Sequence, residues 1–164
     1  MSVRELLFLH TRRSVAEVAG LAADLFGGQW EDRGDHAYFT VDTARLVLGA
    51  SGEFGGPVRR HHCELPFRPV GEFEATDGYT VEVRLWQAYG KRLAADGTDV
   101  EAVAASVVFD ALAQSLNDPV IHVHGDDTLV SASLPGKGIH HPPVGTSIYD
   151  WDSEKWDGFV LLPD

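Results

Sequence analysis

Two histidines stand one residue apart in "VIHVHGDD", at His122 and His124, and two aspartates follow at once. On a strand, alternate residues share a face, so both imidazoles project together, opposite Ile121 and Val123. Such a pair can share one divalent metal. Catalytic zinc needs a third protein ligand and an open coordination position. His61-His62-Cys63 and His140-His141 are the candidates for that third ligand. Adjacent residues on an extended chain diverge, however, so each pair offers at most one. The competing reading is an ordinary hairpin. Ile121 and Val123 then pack inward, His122 and His124 face outward or lie under the tail, and Gly125-Asp126-Asp127 makes the turn.

The string resembles the H-x-H-x-D-H metal motif of metallo-β-lactamase-like hydrolases as far as Asp126. Asp127 stands where the last histidine belongs, and a strand, "TLVSASL", follows where that family has a helix. The H-x-H of cupins wants a glutamate a few residues on, and none is present. Other chemistry is fainter. Cys63 is the only cysteine, which excludes an internal disulfide and a cysteine-based zinc cluster. No G-x-S-x-G, P-loop or G-x-G-x-x-G occurs; "PGKG" at 135–138 lacks the rest of a phosphate loop. The balance of these readings leans away from an enzyme, with no cofactor expected and a divalent metal on His122 and His124 as the alternative.

A second group of residues suits binding rather than catalysis. The tail "SIYDWDSEKWDGF" interleaves Tyr149, Trp151 and Trp156 with Asp150, Asp152 and Glu154. Tyrosine and tryptophan are enriched among interface hot spots, and carboxylates around them steer a basic partner. The alternative is that Trp151 and Trp156 fold back over a sheet face and complete the core.

These groups need a scaffold. Ser14 and Glu17 form a capping box, and Val15, Val18, Ala19, Ala22, Leu25 and Phe26 follow at helical spacing up to Gly27-Gly28. A second helix opens at Thr98, with Glu101 as its capping partner, and runs along Val100, Val103, Ala104, Val107, Val108, Ala111 and Leu112 to Asn117-Asp118-Pro119. "ELLFLH" and "YTVEVRLW" precede the helices as strands. The hairpins "QWED"/"HAYFTVD" and "VIHVH"/"TLVSASL" follow them, "ARLVLGA" suggests one more strand, and a short strand around Cys63 to Phe67 is also compatible. The expected fold is α+β: an antiparallel or mixed sheet built from two β-α-β-β halves, with both amphipathic helices on one face. One domain is divided into a first half over 1–50, a Gly- and Pro-rich connection over 51–78, a second half over 79–134 and the acidic aromatic tail over 135–164.

The net charge of −12 bears on partners rather than on fold. It disfavours nucleic acid and anionic membrane and favours a basic protein. No apolar run approaches the roughly 20 residues of a membrane span, and the N-terminus does not read as a secretory signal, so a cytoplasmic location is expected. The order of elements, with "LPFRP", "VEVRLW" and "DPVIHVHGDDTLVSASL" flanking the second helix, resembles a family of bacterial immunity proteins of polymorphic toxin systems over residues 65–134. That resemblance implies a non-enzymatic protein that binds and blocks a cognate toxin. It supplies no catalytic residues.

Overall fold

A computed structural model describes residues 4–61 and 73–162. Among the described residues, eight strands form one antiparallel open sheet. In chain order the elements are β1 (Glu5–Leu9), α1 (Val15–Leu25), β2 (Gln29–Asp32), β3 (His36–Asp42), β4 (Glu53–Arg60), β5 (Val81–Ala88), α2 (Val100–Ser115), β6 (Val120–His124), β7 (Thr128–Leu134) and β8 (Gly138–His140). Across the sheet the order is β2-β3-β4-β5-β1-β6-β7-β8. The two halves therefore interlock: β1 lies between β5 and β6, and β5 lies between β4 and β1. Neither half forms a sheet of its own.

Both helices pack on one face, as their apolar stripes require. α1 covers β2, β3 and β4, while α2 covers β5, β1 and β6. The core beneath them holds Leu7, Leu9, Phe39, Phe54, Val83, Leu85, Phe109 and Leu112. The capping box of α1 is formed in full, with the Ser14 Oγ accepting from the Glu17 N–H and the Glu17 side chain accepting from the Ser14 N–H. α2 differs from expectation by one residue. Its cap is Asp99, whose carboxylate accepts from the Ala102 N–H, and Glu101 is released from capping.

The opposite face of β1, β6 and β7 carries a second core. Leu6, Phe8, Ile121, Val123 and Leu129 are covered there by Ala75, Tyr79, Ile148, Trp156 and Val160. The C-terminal segment is thus a layer of the fold.

Three sequence expectations change. "ARLVLGA" is no strand; Thr43–Arg45 is a 3-10 turn capped by Asp42. The connection over 51–78 contains an interior strand, β4. β8 adds a short strand within 135–164. The expected strand around Cys63 to Phe67 lies outside the described residues.

Candidate functional site

The two histidines sit on β6, paired antiparallel with β1, with Glu5 opposite His124 and Leu7 opposite His122. Period-two alternation puts Glu5, His122 and His124 on the face that α2 covers, in phase with Leu7 and Leu9. Ile121 and Val123 face the tail layer instead. Both faces of β6 are therefore covered; His122 is neither outward-facing nor under the tail, and His124 lies on the helix face at its solvent edge.

Glu5 is the residue that organises them. His122 Nε2 donates to Glu5 Oε2 at 2.7 Å, and His124 Nδ1 donates to Glu5 Oε1 at 2.5 Å. Each carboxylate oxygen is taken by one imidazole. The Glu5 and His122 side chains are 1% and 2% exposed, whereas His124 keeps 36% and reaches solvent. Phe109 of α2 lies over His122 with ring centroids 6.2 Å apart. Among the described residues, His122 Nδ1 is buried without a hydrogen-bond partner. A carboxylate inside a sheet is costly unless its oxygens are bonded, and the two imidazole donors meet that need. The arrangement is a polar clamp joining β1 to β6.

The other histidines do different work. His141 Nδ1 and the Ser131 hydroxyl are 2.9 Å apart, and Ser131 is the register partner of His122 on β7. His140 stacks on Phe159 at 3.9 Å and donates to the Lys155 carbonyl. His61 meets Phe8 edge to face at 4.9 Å. His62 and Cys63 lie outside the described residues. Among the described residues no group of three or more His, Cys, Asp or Glu side chains is placed to hold a metal ion.

The tail residues divide by burial. Trp156 is fully buried, and its indole N–H donates to the Ser147 carbonyl at 3.0 Å. It fills the second core and leaves the candidate binding surface. Asp152 is committed to structure: one oxygen accepts from the Ser147 N–H and the other pairs with Lys155 at 3.0 Å. Those bonds, the backbone one first, hold its carboxyl below the usual range. Trp151 is 70% exposed and rests on Tyr149, with ring centroids 4.6 Å apart. Asp150 and Glu154 lie on the same 3-10 turn, Asp150–Lys155.

An open cleft of about 470 Å³ lies at the other end of β1, lined by His10, Arg12, Arg13, Glu17 and Asp118 among others. Its charges are of both signs. No helix among the described residues is long and apolar enough to cross a membrane.

Sequence reasoning passed over Glu5. The available signal was an acidic residue in phase with Leu7 and Leu9, in a strand whose core positions are otherwise apolar, together with two in-phase histidines elsewhere. No protein-family model, curated protein or solved structure matches this chain.

Proposed function

We propose that this chain is a non-enzymatic cytoplasmic binding protein of the immunity type, which occludes the basic cleft of a cognate bacterial toxin. The observation that carries the reading is the Tyr149–Trp151 ridge. A tryptophan 70% exposed on a turn, propped by a tyrosine and flanked by Asp150 and Glu154, has the composition of an interface hot spot. The net charge of −12 supports a basic partner and fast, salt-sensitive association. A nuclease toxin, whose cleft must hold phosphate, has the complementary charge. The Glu5–His122–His124 clamp is compatible with the same reading, because both Glu5 oxygens join β1 to β6.

The test starts with capture of the partner from the native lysate and its identification by mass spectrometry. Stopped-flow association is then compared for wild type and an Asp150→Lys, Glu154→Lys double variant. The captured protein should be basic. The variant should associate about tenfold more slowly at low ionic strength, with the two rates converging as salt screens the charges. Equal rates at low salt would remove the tail from the interface, and an acidic partner would remove charge steering altogether.

A further inference from the structure

The face of the sheet that carries the tail layer also carries a second aromatic surface, over β3, β4 and β5. Tyr38 and Trp86 project there, and their rings meet edge to face with centroids 6.1 Å apart. The strand between them makes room. Gly55 is the register partner of Trp86, and a Cβ on Gly56 would lie 3.4 Å from the Trp86 ring. Trp86 remains 39% exposed.

Tyr89 follows at the end of β5 with φ 60, a left-handed conformation that a bulky residue rarely adopts. Its side chain is 92% exposed. Neighbouring bonds impose the strain. The Gln87 N–H donates to the buried Glu101 carboxylate at 3.0 Å, and Gln87 Nε2 donates to the Ser51 carbonyl at 2.7 Å. Gly52 and Gly90 are packed so tightly that a Cβ would come within 2.3 Å of the Ala88 carbonyl and 2.1 Å of the Ser51 carbonyl, respectively.

The charges at this surface are of both signs, with Arg59 on the same face opposite His36 and Glu82, but they are segregated along the strands. Arg33 lies over the Tyr38 ring at 4.8 Å and pairs with Glu31 at 3.2 Å, and Arg84 pairs with Glu82 at 2.8 Å. Asp42 and Glu53, by contrast, are direct register partners across β3 and β4. Two carboxylates so placed on one face repel each other. One Asp42 oxygen accepts from the Ala44 N–H, and among the described residues neither carboxylate has a salt-bridge partner. Burial raises the Tyr38 hydroxyl above its ordinary range, Arg33 opposes that, and Glu53 and Tyr89 add smaller increases.

We infer that Tyr38, Trp86 and Tyr89, rimmed by Asp42 and Glu53, seat an arginine side chain of the basic protein partner. The guanidinium stacks on the exposed Trp86 and Tyr89 rings, as Arg33 already does on Tyr38, and it neutralises the facing carboxylates. Arginine fits better than lysine because its planar fork stacks and pairs at once. The inference rests on the reading that the partner is basic, and it names a surface distinct from the tail ridge.

The experiment titrates isotope-labelled full-length protein with an alternating Arg-Gly peptide and its Lys-Gly counterpart, following the four tryptophan indole N–H resonances by heteronuclear NMR. The Trp86 resonance should move, with or without Trp151. The arginine peptide should bind about threefold tighter than the lysine one. Tyr89→Ala and Glu53→Gln should each weaken binding by about threefold or more while leaving the remaining spectrum folded. Movement of Trp151 alone would overturn this surface and leave the tail ridge standing. Equal affinity for the two peptides would overturn the stacking role. A Trp86 shift on concentrating the protein without peptide would assign the surface to a second copy and overturn the inference. Silence at both indoles would overturn it and remove support from the tail ridge as well.

Discussion

Replacing Glu5 with leucine tests the clamp directly. In wild type the carboxylate accepts from His122 at 2.7 Å and from His124 at 2.5 Å, within a sheet where Glu5 is 1% exposed. Without it, His122 has no partner on either ring nitrogen, since Nδ1 already has none. A buried polar group stripped of its partner costs about 1–3 kcal/mol, and breaking a buried pair from one side costs about 3–5 kcal/mol. His124 contributes little, because water reaches it. The new leucine recovers about 1 kcal/mol through apolar burial. The net loss is about 2–4 kcal/mol, or about 4–16 °C in Tm for a chain of this size. Glu5→Gln keeps one acceptor and should lose about half as much. The Glu5→Leu, His122→Leu double variant removes both partners, and its loss should be smaller than the sum of the two single losses by at least about 1 kcal/mol. Urea and thermal melts of the four proteins give the cycle. Losses that add without coupling, or a Glu5→Leu loss under about 1 kcal/mol, would refute the clamp. The same melts with chelator test the metal alternative. The clamp predicts no change, whereas a chelator-induced fall in wild type that disappears in Glu5→Leu would assign the cluster to a metal.

Two further predictions concern the second core. Trp156→Ala should cost about 3–5 kcal/mol in denaturant melts, while Trp151→Ala should stay within about 0.5 kcal/mol; similar losses would mean that the tail is not the layer described here. The Tyr79 hydroxyl accepts from the Leu161 N–H at 3.2 Å, and burial pushes its ionisation far above the ordinary tyrosine range. The unfolded chain loses that proton near pH 10 and the native chain keeps it, so stability should fall as pH rises above about 10. Tyr79→Phe should cost about 1 kcal/mol at neutral pH and flatten the alkaline decline, and an unchanged alkaline slope would count against the buried hydroxyl.

The sequence was most readable where local chemistry and periodicity agree. The Ser14/Glu17 box and the stripe behind it give α1, and alternation in "YTVEVRLW" gives β5 its core face. β4 was hidden because Gly55, Gly56 and Pro57 look like a loop. Their use is tertiary: Cβ atoms at Gly55 and Gly56 would lie 2.1 and 1.9 Å from the carbonyls of Phe39 and Arg84. Pro57 falls where the β4–β5 ladder lapses between Gly55 and Val58, so its missing N–H is tolerated within an interior strand. The histidine pair was legible as far as a shared face. Which face it was depended on β1 inserting beside β6, a pairing between residues more than a hundred positions apart that no local pattern encodes. Glu101 shows the same limit. Its spacing from Thr98 reads as a capping box, yet its carboxylate is buried against the Gln87 N–H, and Asp99 does the capping.

One consequence of the topology joins the two proposed surfaces. The helices occupy one side of the sheet, where the Glu5–His122–His124 clamp lies. The Tyr149–Trp151 ridge belongs to the tail layer on the other side, over β1, β6 and β7, and the Tyr38–Trp86–Tyr89 surface lies on that same side over β3 to β5. A standard interface covers about 800 Å² on each partner, so one toxin-sized protein is large enough to take both. If it does, Trp86→Ala and Trp151→Ala should each weaken binding of the same captured protein, and the double variant should lose about the sum of the two free energies, because the sites share no contacts. If instead each variant loses a different partner and leaves the other's affinity intact, the face serves two ligands and occlusion of a single basic cleft is the wrong mechanism. Affinity measurements of the two single variants against each captured protein separate these cases.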